Sequence, residues 1–137
     1  MTRRRELTDR QARRYARHVV LPEIDTAGQL AIMDARVGIA PVPWTPAELL
    51  TAQYLAAAGI GAIEVTGIGE AVTAAIASRG PDTLLVHDPS TPLIEVAEVP
   101  AWWPHAEGDA IASSFWRAGI TATRWLADVS SAPRTRS

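Results

Sequence analysis

The chain has 137 residues, 47% of them apolar, and a formal net charge of −2, the profile of one globular domain with a substantial core. It has no cysteine, and all thirteen cationic residues are arginine. This excludes disulfides, thiolate metal ligands, cysteine nucleophiles, Schiff bases and a lysine offered to a triphosphate. No uncharged apolar run approaches the ~18 residues of a membrane span, and no apolar stretch follows Arg3, Arg4 and Arg5. Neither a membrane helix nor a secretory signal is expected, and a cytoplasmic location is.

Taken in chain order, Thr8 and Gln11 have capping-box spacing, and Ala12, Tyr15, Ala16, Val19 and Val20 recur at helical period. These predict a helix over 9–20 that Pro22 ends. Seven of the thirteen arginines lie within residues 1–17. Glu6 and Asp9 interleave with them and no aromatic platform accompanies them, so a solvated helix face is expected rather than a nucleic-acid surface. A second short helix is expected over 26–34 and a strand over 36–40. The breaker cluster Pro41-Val42-Pro43-Trp44 follows. Thr45 then reads as an N-cap, with Pro46 at the first helical position and Glu48 at capping-box spacing. That helix is expected to end near Ala58, before Gly59. A strand over 62–65, a helix over 69–79 and a buried strand over 83–87 come next. A fourth strand is expected over 93–99. The Trp102-Trp103-Pro104 loop leads into a helix over 109–128 with Ile111, Phe115, Ala118, Ala122, Trp125 and Leu126 on one face. Residues 130–137 read as a disordered tail. The alternation of helices and short apolar strands implies an α/β fold of βαβ units.

Two stretches resemble the ThiF/MoeB/HesA family, bacterial relatives of ubiquitin-activating enzymes. Residues 7–37, LTDRQARRYARHVVLPEIDTAGQLAIMDARV, are similar to that family's N-terminal helical pair, with its R-Y-x-R motif, L-P-x-[IF], G-Q, and A-R-V entry into the first strand. Residues 53–65, QYLAAAGIGAIEV, are similar to its Y-L-A-x-A-G-V-G helix end and second strand. The resemblance implies a doubly wound ATP-binding domain that adenylates the C-terminus of a ubiquitin-like sulfur carrier or a peptide and works as a dimer. It also implies that Arg17, in R-Y-A-R, acts on a nucleotide in the opposite subunit, with Arg14 the earlier arginine of the same motif.

The chain departs from the family where the nucleotide would sit. The family's G-x-G-G-x-G loop brings backbone N–H groups to phosphate at a helix N-terminus. Here the segment is Pro41-Val42-Pro43-Trp44-Thr45-Pro46, with three residues that lack an N–H. No acid is expected at the last position of the second strand for a ribose, because Glu64 falls too early in Glu64-Val65-Thr66-Gly67. The D-x-S-N-L-x-R-Q motif, the lysine, the catalytic cysteine and the C-x-x-C pairs are absent.

Other candidates are weaker. His87 and Asp88 follow a parallel strand and could form a base and its orienting carboxylate, although Asp88-Pro89-Ser90 is also ordinary turn chemistry. His18, His105 and Glu107 match no metal-ligand spacing, so no metal is expected. Gly67-Ile68-Gly69 is a loop and helix start before it is an anion cradle. Trp44, Trp102 and Trp103, in loops, read with Tyr15 as a partner-binding surface. The expectation is therefore a reduced Rossmann-like doubly wound domain of three or four mainly parallel strands over 35–129, preceded by a helical arm over 1–34. The chain reads as a non-catalytic partner-binding protein, a supporting subunit or adaptor in an adenylating, sulfur-carrier or peptide-modifying system. It dimerises with itself or with a full-length ThiF-like protein and needs no cofactor of its own. A small biosynthetic enzyme using His87, Asp88 and Arg17, or a structural homodimer without ligand, are the alternatives.

Overall fold

A computed structural model describes residues 6–14, 25–100 and 110–131. Within them α1 (Asp9–Arg14) precedes α2 (Thr26–Asp34), β1 (Arg36–Ala40), α3 (Pro46–Ala57), β2 (Ala62–Glu64), α4 (Glu70–Ala77), β3 (Leu84–Val86), β4 (Leu93–Glu95) and α5 (Ala110–Ser131). The four strands form one all-parallel sheet in the order β3-β2-β1-β4. This is a reduced Rossmann-like α/β fold, with the strand order of one βαβαβ half and the first strand of a second.

The local reasons are visible in the chain. Asp25 caps α2 by accepting from the Gly28 N–H at 2.8 Å. Thr45 caps α3 with Pro46 at its start. Gly59 ends α3 at φ 92°, a left-handed conformation that glycine adopts without strain. Side chains alternate across the sheet. Val37 and Ile39 of β1, Ile63 of β2 and Leu85 of β3 face the helices and join Ile32, Ala52, Leu55, Ile76 and Ala122 in one core. Each fully buried aliphatic side chain of that size contributes about 1.5–3 kcal/mol.

Five expectations change. The second half of the expected arm belongs to the core: Ile32 and Gln29 are fully buried, and Gln29 Nε2 donates to the Ala58 carbonyl at 2.9 Å. The third strand, read as a buried apolar run, is an edge strand with Leu84 exposed, because Leu84 points to the face away from the helices. A six-residue link, 87–92, carries the chain from that edge to the opposite edge, so β4 starts at Leu93 level with Gly38. β4 stops at Glu95, and Val96 then turns into the core. α5 continues through Ser131, so residues 130 and 131 are helix rather than tail, and Ser130 is buried beside Gly28. The stripe expected along α5 is buried only in part: Ala118 and Ala122 are covered, while Ile111 and Phe115 near its start are exposed. Of the predicted first helix, Asp9–Arg14 is described, and Arg10 pairs with Asp82. Residues 15–20 and 132–137 lie outside the described residues.

Two glycine substitutions test this packing with opposite signs. A Cβ at Gly80 would lie 2.3 Å from the Ala56 carbonyl oxygen, so Gly80→Ala is expected to cost about 1–3 kcal/mol. Gly119 has open space around it inside α5, so Gly119→Ala is expected to gain about 0.5–1 kcal/mol. Urea unfolding of both variants beside the parent measures the two shifts.

Candidate functional site

In an open parallel sheet the natural ligand crevice lies beyond the carboxyl ends of the strands, where the strand order reverses. Here that point is between β1 and β4. A crevice of about 350 Å³ occupies it, lined by Ala40 and Pro41 at the end of β1, Glu95, Val96 and Glu98 at and beyond the end of β4, Thr45 and Glu48 at the start of α3, and Arg117 of α5.

Glu48 is the centre of this site. Its side chain is 2% exposed. Its Oε1 accepts from the Thr45 backbone N–H at 2.8 Å and from the Thr45 hydroxyl. Its Oε2 lies 4.0 Å from Arg117 Nη2. Arg117 is itself fixed from α5: its Nε donates to the Ala97 carbonyl at 2.8 Å, and its Nη2 lies 3.5 Å from Glu98 Oε1. The first turn of α3 thus receives a carboxylate from its own chain. A helix N-terminus carries roughly half a positive charge and unsatisfied N–H groups, and Glu48 answers both. The loop leading to it contributes few donors. Pro41, Pro43 and Pro46 have no N–H, and the Trp44 indole N–H is spent on the Ile39 carbonyl at 2.8 Å.

The acid expected to be missing at the end of the second strand is present. Glu64 is the last residue of β2, because the strand closes one residue earlier than expected, although Val65 N–H still reaches the Val86 carbonyl at 2.9 Å. Its carboxylate is folded back on the chain, accepting from the Thr66 N–H at 2.7 Å and 3.2 Å. Gly67-Ile68-Gly69 forms the turn into α4, with Gly69 as its N-cap.

His87 and Asp88 do not form a dyad. They follow β3, at the opposite edge of the sheet from β4. Asp88 Oδ1 accepts from the Ser90 hydroxyl at 2.6 Å and the Ser90 N–H at 3.1 Å, and Oδ2 lies 3.8 Å from Arg36. His87 is exposed, and no hydrogen bond joins it to Asp88. The Ser90 hydroxyl first, then the Ser90 N–H and the Arg36 charge, hold the Asp88 carboxyl below its ordinary range. Trp44 is half-buried and packs on the core. Arg14 closes α1, but its side chain, with Tyr15, Arg17, His18, Trp102, Trp103, His105 and Glu107, lies outside the described residues. Among the described residues no group of three or more acidic or histidine side chains is placed to hold a metal ion, and no helix is long and apolar enough to cross a membrane.

The residues that sequence reading missed are Arg117, Glu95 and Glu98. Glu48 was visible only as a capping residue. Arg117 meets Glu48 from 69 positions away, and no local spacing signals such a pair. No protein-family model matches the chain, and no characterised protein matches it.

Two measurements probe this geometry. Glu48→Ala removes the cap and one partner of Arg117, and is expected to cost about 1–3 kcal/mol in urea unfolding. Glu48→Gln keeps an acceptor for Thr45 and is expected to cost less. In a carbon-detected NMR titration, Asp88 is expected to lose its charge below the ordinary carboxylate range, and Ser90→Ala is expected to move that transition upward. The Asp88 turn therefore supports the fold above the ordinary range and stops doing so as pH falls through the lowered value.

Proposed function

We propose that this chain is a non-catalytic, partner-binding relative of the ThiF/MoeB/HesA proteins. It would serve as the supporting subunit or adaptor of an adenylating, sulfur-carrier or peptide-modifying system in the cytoplasm, as a dimer with itself or with a full-length ThiF-like protein. The observation that carries this reading is the Glu48 carboxylate at the N-terminus of α3. A doubly wound nucleotide-binding domain places phosphate at that helix end. Here a buried carboxylate stands there, held by Thr45 and Arg117. A triphosphate would have to displace it or accept like charges at close range, where unit charges about 4 Å apart interact by about 4 kcal/mol at an effective dielectric of 20. Glu95 and Glu98 add two further negative charges at the same crevice.

The Rossmann-like strand order supports a common origin with nucleotide-binding domains. The R-Y-A-R motif supports retention of the arm, with Arg17 stabilising charge in a partner's site. The alternative of a small biosynthetic enzyme using His87, Asp88 and Arg17 draws no support from Asp88, whose carboxylate is engaged by Ser90 and Arg36.

Isothermal titration of the chain with MgATP tests the reading. No binding tighter than millimolar is expected, and micromolar affinity would overturn it.

A further inference from the structure

The crevice at Glu48 opens into a groove of about 650 Å³ between α3 and α5. Pro46, Leu49 and Leu50 of α3 form one wall, and Val99, Ile111 and Phe115 form the other. Ile111 is 72% exposed and Phe115 is 51% exposed. Two large apolar side chains left open along one groove are the signature of a contact surface rather than of scattered surface apolarity. The volume falls within the range of about 300–1,000 Å³ typical of ligand sites.

The net charge at the groove's end is negative. Thr45, Glu98 and Arg117 line both the groove and the crevice, so the two are continuous. The charged side chains there are Glu48, Glu95, Glu98 and Arg117. Arg117 is already engaged by Glu48, Glu98 and the Ala97 carbonyl. Three carboxylates against one guanidinium leave the end of the groove with two uncompensated negative charges. The surrounding body has the same sign: residues 25–100 and 110–131 carry ten carboxylates and four arginines. In the groove wall, Ser113 Oγ is buried and has no hydrogen-bond partner among the described residues.

We infer that this groove binds a peptide segment in which a large apolar side chain neighbours a lysine or arginine. The inference rests on the partner-binding reading above and names the chemistry of the partner at this site. The apolar side chain lies between α3 and α5, against Leu50, Ile111 and Phe115. The cation faces Glu98 and Glu95 at the crevice end. An anionic segment of the same shape meets the uncompensated carboxylates instead, so discrimination comes from repulsion as well as attraction.

The test is an amide-resolved NMR titration of the full chain with Ac-Lys-Leu-Phe-NH2 and, separately, Ac-Glu-Leu-Phe-NH2. The lysine peptide is expected to shift the amides of Leu49, Leu50, Ile111 and Phe115 saturably, at least fivefold more tightly than the glutamate peptide. The Glu95→Gln, Glu98→Gln double variant is expected to bring the two peptides within twofold of each other. Equal affinities for the parent chain, preference for the glutamate peptide, or shifts confined to other surfaces would overturn the inference. So would binding that appears only after Trp102→Ala and Trp103→Ala, which would mean that the chain itself takes the groove. A parallel titration with MgATP separates the two levels of the argument. If MgATP shifts the amides of Thr45 and Glu48, the partner-binding reading falls with the inference. If neither peptide binds and MgATP is also silent, only the inference falls.

Discussion

The carboxylate of Glu48 sits at the amino end of α3, held by the Thr45 N–H and hydroxyl and facing the Arg117 guanidinium. Much of the chemistry of the crevice follows from that placement. The end of a helix beside a parallel sheet is the strongest anion site that a Rossmann-like fold offers, since it combines unsatisfied N–H groups with the positive end of the helix dipole. Here a side chain of the same protein occupies it. Capping of this kind stabilises the helix by about 1 kcal/mol, and the Arg117 contact ties α3 to α5 across the top of the sheet.

The surrounding elements also offer an anion few donors. The link from β1 to α3 contains Pro41, Pro43 and Pro46, so it could not supply the backbone donors of a phosphate loop. The Trp44 indole bonds to the end of β1 and packs on the core, which fixes the link without glycine. Glu64 stands at the end of β2, the position at which related folds meet a ribose, and turns back to its own Thr66 N–H. In both acids the side chain satisfies the local backbone. The crevice itself is left with three carboxylates against one guanidinium, a net negative charge.

Much of the fold was legible in the sequence, because the signals were local. Residues 36–40 and the helix from Pro46 were readable from a short apolar run and the Thr45-Pro46-Glu48 combination. Gly59 marked the end of α3 through the one conformation it alone adopts easily. What failed depended on neighbours distant in the chain. Leu84 has the apolar character of a buried strand, but its burial is decided by which face of β3 the helices cover. Ser130 looks like tail sequence, yet the approach of Gly28 from α2 gives the last turn of α5 something to pack on. The candidate site divides the same way. Glu48 announced itself as a cap within its own turn, whereas its partner Arg117, and Glu95 and Glu98 beside it, come together only through the β1–β4 pairing and the return of α5 over α3.

The most direct measurement of the central claim is an amide NMR titration of the chain with inorganic pyrophosphate, read at Ala47, Glu48 and Leu49 in the first turn of α3. With Glu48 in place those amides are predicted to stay unmoved to millimolar concentration, and in Glu48→Ala they are predicted to shift on addition. Saturable shifts of the same amides in the parent chain would contradict the account, because the helix end would then be open to phosphate.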